Sequence, residues 1–239
     1  MNNSQNLTAA GRIIVALDCP LAPAIELAET LQGYAEWLKI GTQLYRDDYF
    51  LHNVKEMGYK IFYDPKHHDT PDRVKTDISS EAQDGLNMIT LHASGGAEMV
   101  KQALLGAISV ANPPILLAVT ALTSLDDADC DRIYCCRSRG DAVHNLSTLA
   151  RESGLNNFVT SAKEVAELRL LAGSSAIIVV PGIKLRGGEA NAGQKAIGTA
   201  GEAIKNGATY VVAGSAVTKA TNPVVAFQAM VKEIEEVLR

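Results

Sequence analysis

The chain alternates between short runs of consecutive apolar residues and longer segments in which Leu, Ile, Val and Ala recur at helical spacing. Eight of the apolar runs have the length of a strand and are bounded by Gly, Pro, Asn or Asp. Most are apolar throughout, which is typical of strands that are buried on both faces, as in parallel sheets. Strands are predicted at residues 12–18, 36–40, 59–64, 87–92, 114–120, 157–160, 176–181 and 208–214.

Segments with helical spacing separate the predicted strands. Leu21 to Leu31 shows this spacing, and Pro71 suits the first turn of a later helix. The polar segment from Thr123 to Gly140 is expected to be a long loop, and the segment from Gly182 to Gly193 a Gly-rich one. Further helices are predicted near residues 47–57, 71–84, 97–107, 141–153, 162–171 and 196–206, and from Pro223 to the C-terminus.

Alternating strands and helices with right-handed crossovers leave two architectures, a closed (β/α)₈ TIM barrel or an open doubly wound sheet. An open sheet usually carries a Gly-rich nucleotide-binding turn after its first strand. Here the first strand ends in Asp18-Cys19-Pro20, so the α/β barrel is favoured. Because the sequence contains no linker or low-complexity tract, residues 1–239 are expected to form a single domain, with residues 1–10 as a frayed tail.

Composition excludes several classes of function. The net charge is −5 and no run of Lys and Arg offers a track for phosphates, which argues against nucleic-acid binding. No stretch approaches about 18 apolar residues, so no membrane span is expected. The polar N-terminus lacks the features of a signal peptide, which favours a cytoplasmic protein. The cysteines at 19, 130, 135 and 136 lack the spacing of a zinc site and are expected to be free thiols.

Charged residues end the first three predicted strands. In a barrel the C-terminal ends of the strands share one face, which carries the active site. Asp64 and Lys66 are two residues apart, so in an extended segment both can face one cavity. Unpaired buried charges cost several kcal/mol, so alternating acids and bases indicate a functional site. The charged residues are Asp18, Lys39, Asp64 and Lys66, followed by Asp69; His92, Thr120, Pro181 and Gly214 end later strands.

Several ordered motifs span nearly the whole chain. They are Leu38-Lys39-Ile40-Gly41, Asp64-x-Lys66-x-x-Asp69, His92-Ala93-Ser94-Gly95-Gly96, Thr120-x-Leu122-Thr123, Pro181-Gly182-Ile183 and Gln194. Together they resemble the orotidine 5′-monophosphate decarboxylase family. The central motif is shared with Mg²⁺-dependent relatives that act on 3-keto-gulonate 6-phosphate or hexulose 6-phosphate and carry Glu in place of Lys39. A cation cannot ligate a metal, so Lys39 favours the metal-free pyrimidine branch.

The resemblance implies a carboxy-lyase of de novo pyrimidine biosynthesis that converts orotidine 5′-monophosphate to uridine 5′-monophosphate (UMP) without metal or cofactor. Lys66 would protonate the C6 carbanion, Asp64 would face the departing carboxylate, and Lys39 would bridge Asp64 and the ribose hydroxyls. Asp69 would enter the neighbouring subunit's site, which implies a homodimer with shared sites. Substrate contacts are implied for Asp18, Thr123, Pro181, Gln194, Gly214 and Ser215. Among the histidines, His92 is expected to satisfy backbone groups, whereas His67 and His68 are expected to be solvated or to face the dimer partner.

The sequence departs from the family pattern at the phosphate site. The family has an Arg where this chain has Ser215, which keeps a hydroxyl but loses the bidentate guanidinium. Arg186, in the loop after the seventh strand, is a hypothetical substitute charge. The family's Ile-Pro-Asn-Thr after the aspartate is here replaced by residues 70–73, Thr-Pro-Asp-Arg, which puts the shared-site contacts in question.

Two alternatives stay open from the sequence. The first is a Mg²⁺-dependent sugar-phosphate decarboxylase or aldolase of the same superfamily, whose activity a chelator would abolish. The second is a catalytically impaired paralogue that binds nucleotides or serves as a structural dimer, which Ser215 favours. Tight binding of uridine monophosphate without turnover would identify it.

Overall fold

Eight parallel strands close into a barrel in this computed structural model, which describes residues 7–186 and 198–239. Neighbours in the ring follow chain order, and the last strand pairs with the first. The predicted (β/α)₈ barrel is thus confirmed. The barrel strands are β1 (Ile13–Leu17), β2 (Trp37–Ile40), β3 (Lys60–His67), β4 (Met88–His92), β5 (Ile115–Val119), β6 (Phe158–Val159), β7 (Ile178–Val180) and β10 (Tyr210–Ala213). A separate parallel pair consists of β8 (Ile183–Lys184) and β9 (Gly198–Thr199).

Helices connect the strands. Two of them, α1 and α5, have the predicted bounds, and the helix predicted near residues 47–57 is α3, which is one residue shorter at each end. The short helix α2, which precedes α3, was not predicted. The helices are α1 (Leu21–Leu31), α2 (Thr42–Tyr45), α3 (Asp48–Glu56), α4 (Pro71–Gln83), α5 (Ala97–Ala107), α6 (Asp127–Tyr134), α7 (Arg139–Glu152), α8 (Val165–Ala172), α9 (Ala200–Lys205), α10 (Ser215–Thr218) and α11 (Pro223–Leu238).

Alternate residues of each strand point into the barrel, and this register positions the charged side chains. Ala16 of β1, Trp37 of β2 and Phe62 of β3 belong to the apolar cluster that fills the barrel interior. Residues two positions further along a strand point to the same side. Those residues are Asp18, Lys39 and Asp64. The alternation that fills the core therefore also brings three charges to the C-terminal mouth.

The segment from Thr123 to Gly140 is not the continuous loop that the sequence suggested, because it contains α6. Asp126 caps this helix: its side chain accepts a hydrogen bond from the Asp129 backbone N–H, and the Asp129 carboxylate accepts one from the Asp126 backbone N–H. The Gly-rich loop predicted from Gly182 begins with β8 instead, and its residues 187–193 lie outside the described ranges.

The N-terminal residues that the structure describes are packed, contrary to the predicted frayed tail over residues 1–10. Ala9 is buried, Leu7 packs against the interior cluster of the barrel, and Ala10–Arg12 forms a 3₁₀ turn that leads into β1. Residues 1–6 lie outside the described ranges. Across those ranges, no helix combines the length and apolar character needed to cross a membrane.

Candidate functional site

A cavity of about 640 Å³ opens at the C-terminal ends of the barrel strands. Its wall combines apolar side chains from the barrel interior with charged groups from the first three strands. It is lined by Ala16, Asp18, Lys39, Phe62, Asp64, Lys66, Thr123, Val159, Pro181, Gly182, Ile183, Val212, Gly214, Ser215, Thr218 and Lys219.

Four charged side chains form an alternating row along one side of this cavity. Lys39 Nζ lies 2.8 Å from Asp18 Oδ1 and 3.4 Å from Asp64 Oδ2. Lys66 Nζ lies 2.7 Å from the same Asp64 oxygen. Each carboxylate therefore has an ammonium neighbour, and Asp64 lies between two of them. Such pairing offsets the cost of placing charge in the cavity wall, above all for Lys39 and Asp64, whose side chains are each only 12% exposed.

A buried threonine on the neighbouring strand β4 forms a hydrogen bond with Asp64, a member of this charged row. Thr90 on β4 is fully buried, and its hydroxyl donates to Asp64 Oδ1 at 2.8 Å. The Thr90 hydroxyl oxygen in turn accepts a hydrogen bond from the Lys66 backbone N–H at 3.0 Å. Sequence reasoning missed Thr90, although a polar residue inside the apolar run of β4 was a signal for it.

The strand that carries Asp64 and Lys66 is irregular where they lie. Tyr63 pairs with Ile89 of β4 and His67 pairs with Leu91, so four steps along β3 match two along β4. Lys66 has a φ of 54°, in the left-handed region that residues with a side chain seldom adopt. The bulge takes this segment out of the regular ladder, which leaves the Lys66 N–H available to Thr90.

His67 is not the solvated loop residue that the sequence suggested. It ends β3 and is largely buried, and its Nε2 lies 3.0 and 2.9 Å from the two carboxylate oxygens of Glu81 on α4. Burial raises the pKa of Glu81, while the contact with His67 opposes that rise. This contact fixes α4 against the end of the strand that carries Lys66.

His92 ends β4 as expected and does not line the cavity. Burial lowers its pKa, the neighbouring His68 and Lys66 lower it further, and the carboxylate of Asp64 opposes this effect. The exposed His68 ring lies 5.2 Å from the His92 ring, centroid to centroid. Neutral His92 thus sits behind the charged row.

The cavity wall brings together most of the residues that the sequence singled out. Thr123, Pro181, Gly214 and Ser215 all line it, together with the charged row. Thr218 and Lys219 also line it, and sequence reasoning did not include them. Gln194 lies outside the described residues.

Two of the expected residues do not line this cavity. Asp69 is exposed beyond β3, and its Oδ1 accepts from the Thr70 backbone N–H. The Arg186 guanidinium lies 3.0 Å from Glu236 on α11, and its backbone N–H donates to Glu233 on the same helix. The hypothesis that Arg186 replaces the missing phosphate-binding Arg finds no support in this position, because the guanidinium contacts α11 and does not line the cavity.

The carboxylates in the cavity wall are Asp18 and Asp64, and the Lys39 ammonium contacts both. Over residues 7–186 and 198–239, no three His, Cys, Asp or Glu side chains are grouped closely enough to share a metal ion. The chemistry that this arrangement provides is a paired, positioned ammonium, Lys66, which faces an open cavity beside a carboxylate.

Comparisons with known proteins agree on one family. The family model for the orotidine 5′-phosphate decarboxylase / HUMPS family matches residues 11–230. The chain is 35% identical to orotidine 5′-phosphate decarboxylase of Idiomarina loihiensis over 95% of its own length and 100% of the relative. It is also 35% identical to orotidine 5′-phosphate decarboxylase of Moorella thermoacetica, over 96% of this chain and 94% of the relative. The crystal structure of orotidine 5′-phosphate decarboxylase from Lactobacillus acidophilus superposes with a TM-score of 0.79 at 31% identity, covering 93% of this chain and 98% of that one.

Proposed function

Because the chain belongs to the orotidine 5′-phosphate decarboxylase / HUMPS family, we propose that it is a carboxy-lyase that converts orotidine 5′-monophosphate to UMP. The observation that carries this proposal is the Asp18–Lys39–Asp64–Lys66 row at the cavity wall. We also propose that residues 1–239 act as one domain, because the family model spans residues 11–230. We propose that the reaction serves pyrimidine biosynthesis, because its product UMP is a pyrimidine nucleotide.

Lys66 is the proposed acid. Decarboxylation breaks the bond between C6 and the carboxylate, leaves the electron pair on C6 and releases CO₂. An ammonium beside C6 stabilises this pair as it develops and then transfers a proton to it, which leaves a neutral amine that regains its proton from water. The cavity position of Lys66 and its 2.7 Å contact with Asp64 support this role.

Asp64 and Lys39 are the proposed partners of that acid. Asp64 accepts from Lys66 and Thr90 and lies 3.4 Å from Lys39, so its carboxylate is held in one place. A fixed negative charge beside the substrate carboxylate favours departure of CO₂. Lys39 occupies the space between two carboxylates where a relative with a glutamate would offer a third metal ligand, which supports a reaction without a metal ion.

We propose that Asp69 acts in the site of a second subunit. Its exposure and its position outside its own cavity support this role. The test mixes inactive Asp69→Ala and Lys66→Ala subunits under exchange conditions. Random pairing should restore roughly a quarter of wild-type activity, because half of the dimers then contain one intact shared site. No recovery after proven exchange would contradict sharing.

The decisive experiment follows the absorbance of orotidine 5′-monophosphate with wild type and Lys66→Ala, with and without EDTA. We expect turnover by wild type that survives EDTA, and a loss of at least about 10²-fold in Lys66→Ala. UMP binding should persist in the variant as proof of folding. Turnover of a sugar phosphate that EDTA abolishes would identify the Mg²⁺-dependent alternative. UMP binding by wild type without any turnover would identify a nucleotide-binding paralogue.

A further inference from the structure

Three ammonium groups and two carboxylates line the cavity, which leaves one positive charge in excess. Lys39 and Lys66 contact Asp18 and Asp64. The third cation, Lys219, forms no ion pair with any residue of the described ranges. An unpaired cation at the wall of a cavity favours an anionic ligand group.

The backbone places Lys219 one helical turn beyond the position where the phosphate-binding Arg is missing. Its N–H donates to the Ser215 carbonyl at 3.1 Å, a helical i to i−4 bond at the end of α10. Long side chains on a helix point back over the turn that precedes them. Lys219 lines the same cavity as Ser215 and Gly214.

The position of Lys219 around the barrel suits one end of an elongated ligand. It follows β10, which is three strands away from β3 in the ring of eight. The reacting groups Asp64 and Lys66 are on β3, so the two regions face each other across the mouth. A molecule with its reacting carbon at Lys66 and an anionic group at the other end fits this separation of charges.

We propose that Lys219 binds the 5′-phosphate of the nucleotide and replaces the guanidinium absent at position 215. This inference rests on the proposed function, because it assumes a nucleotide with its base at Lys66. Lysine is a common phosphate ligand that acts as a point charge and lacks the bidentate geometry of arginine. Phosphate affinity should accordingly depend strongly on ionic strength.

The test compares UMP with uridine, which differ only in the phosphate, so that no turnover is needed. Binding of both is measured by calorimetry for wild type, Lys219→Met and Lys219→Arg. Lys219→Met keeps most of the stem and removes the charge, so UMP affinity should fall about tenfold to a hundredfold while uridine affinity stays constant. Lys219→Arg should retain the preference for UMP. The salt dependence of UMP binding should be smaller in Lys219→Met.

Two further variants serve as controls. Lys232, exposed on α11 and not part of the cavity wall, provides a matched loss of charge, so Lys232→Met should bind UMP as wild type does. If Arg186→Met weakens UMP binding and Lys219→Met does not, the inference is overturned while the proposed function stands. If wild type binds UMP no more tightly than uridine, the proposed nucleotide function fails, and the role of Lys219 fails with it.

Discussion

Replacing Thr90 by valine should disable the site without touching the cavity wall. Valine matches the shape of threonine but has no hydroxyl, so the change removes two hydrogen bonds and little volume. The lost bonds are the one donated to Asp64 at 2.8 Å and the one accepted from the Lys66 N–H at 3.0 Å. Thr90 does not line the cavity, so substrate should still bind.

The expected loss of stability follows from the two partners. A hydrogen bond to a charged group contributes about 1.5–3 kcal/mol, and an unpaired buried N–H costs about 1–3 kcal/mol. The Asp64 side chain is only 12% exposed, so water can replace the lost donor only in part. Together these effects give a loss of roughly 2.5–6 kcal/mol in the free energy of unfolding, so a domain whose stability is about 10 kcal/mol, near the middle of the usual range, stays folded.

The effect on turnover should be larger than the effect on binding. Without Thr90, both Asp64 and the backbone of Lys66 lose a fixed contact, and a displacement of about 1 Å near the chemistry can lower the rate about a hundredfold. We therefore expect kcat to fall about a hundredfold while KM and UMP affinity change little. Steady-state kinetics and urea denaturation measure the two effects.

Two controls separate positioning from loss of stability. Thr90→Ser keeps the hydroxyl and should restore most of kcat. Thr209 immediately precedes β10, at the end of that strand away from the cavity. Thr209→Val removes a buried hydroxyl that accepts hydrogen bonds from the Ile178 N–H and from Arg169. It should lower stability to a similar degree and leave kcat intact. A Thr90→Val enzyme with wild-type kcat, or with undiminished stability, would refute this assignment.

The remaining predictions concern the pH dependence and packing of the fold. Burial lowers the pKa of His92 in the folded protein below the ordinary value of 6.5 that it has in the unfolded chain. The folded state is therefore favoured fully above pH 6.5, and this contribution is lost as the pH falls through the lowered pKa, because the unfolded chain takes up the proton first. Urea titrations between about pH 7 and pH 4.5 should therefore show a smaller loss of unfolding free energy for His92→Asn than for wild type; equal losses would contradict this. A Cβ at Gly106 in α5 would lie 2.6 Å from the Lys75 carbonyl oxygen of α4, so Gly106→Ala should destabilise by about 1–3 kcal/mol. Gly140→Ala in α7, with its nearest atom at 3.6 Å, should be neutral or stabilising by up to about 1 kcal/mol in thermal denaturation, and the opposite order would disprove the packing.

The barrel was predictable because each of its strands contains a short run of consecutive apolar residues, which local composition distinguishes from the intervening helices and loops. The α6 helix was not, because Cys130 is its one buried residue and a helix with so little apolar surface shows no periodic pattern. The usable signal was the capping pair of Asp126 and Asp129, three residues apart. The extension of β3 through Pro65 was hidden for another reason, since proline ordinarily ends a strand and is tolerated here in a bulge.

The charged row was predictable because strand alternation and barrel closure together determine where Lys39 and Asp64 point. The phosphate end was not, because it depends on where loops turn after the strands end. Arg186 appeared suitable along the sequence, yet Glu236, fifty residues later, holds it on α11. Nothing in the sequence distinguished Lys219 from other exposed lysines. Its position in the cavity wall became visible only in the structure.

The conformation of Lys66 connects the irregular strand to the proposed chemistry. A left-handed residue with a side chain costs roughly 1–2 kcal/mol, so it persists only where its neighbours favour it. The Lys66 backbone N–H donates to the Thr90 hydroxyl and its ammonium donates to Asp64, so hydrogen bonds fix both the backbone and the end of the side chain. Pro65 limits the backbone freedom that the unfolded chain would otherwise have at this point. The bulge thus keeps the Lys66 ammonium beside the Asp64 carboxylate, and the left-handed conformation of Lys66 is part of the irregularity through which β3 presents both groups to one cavity.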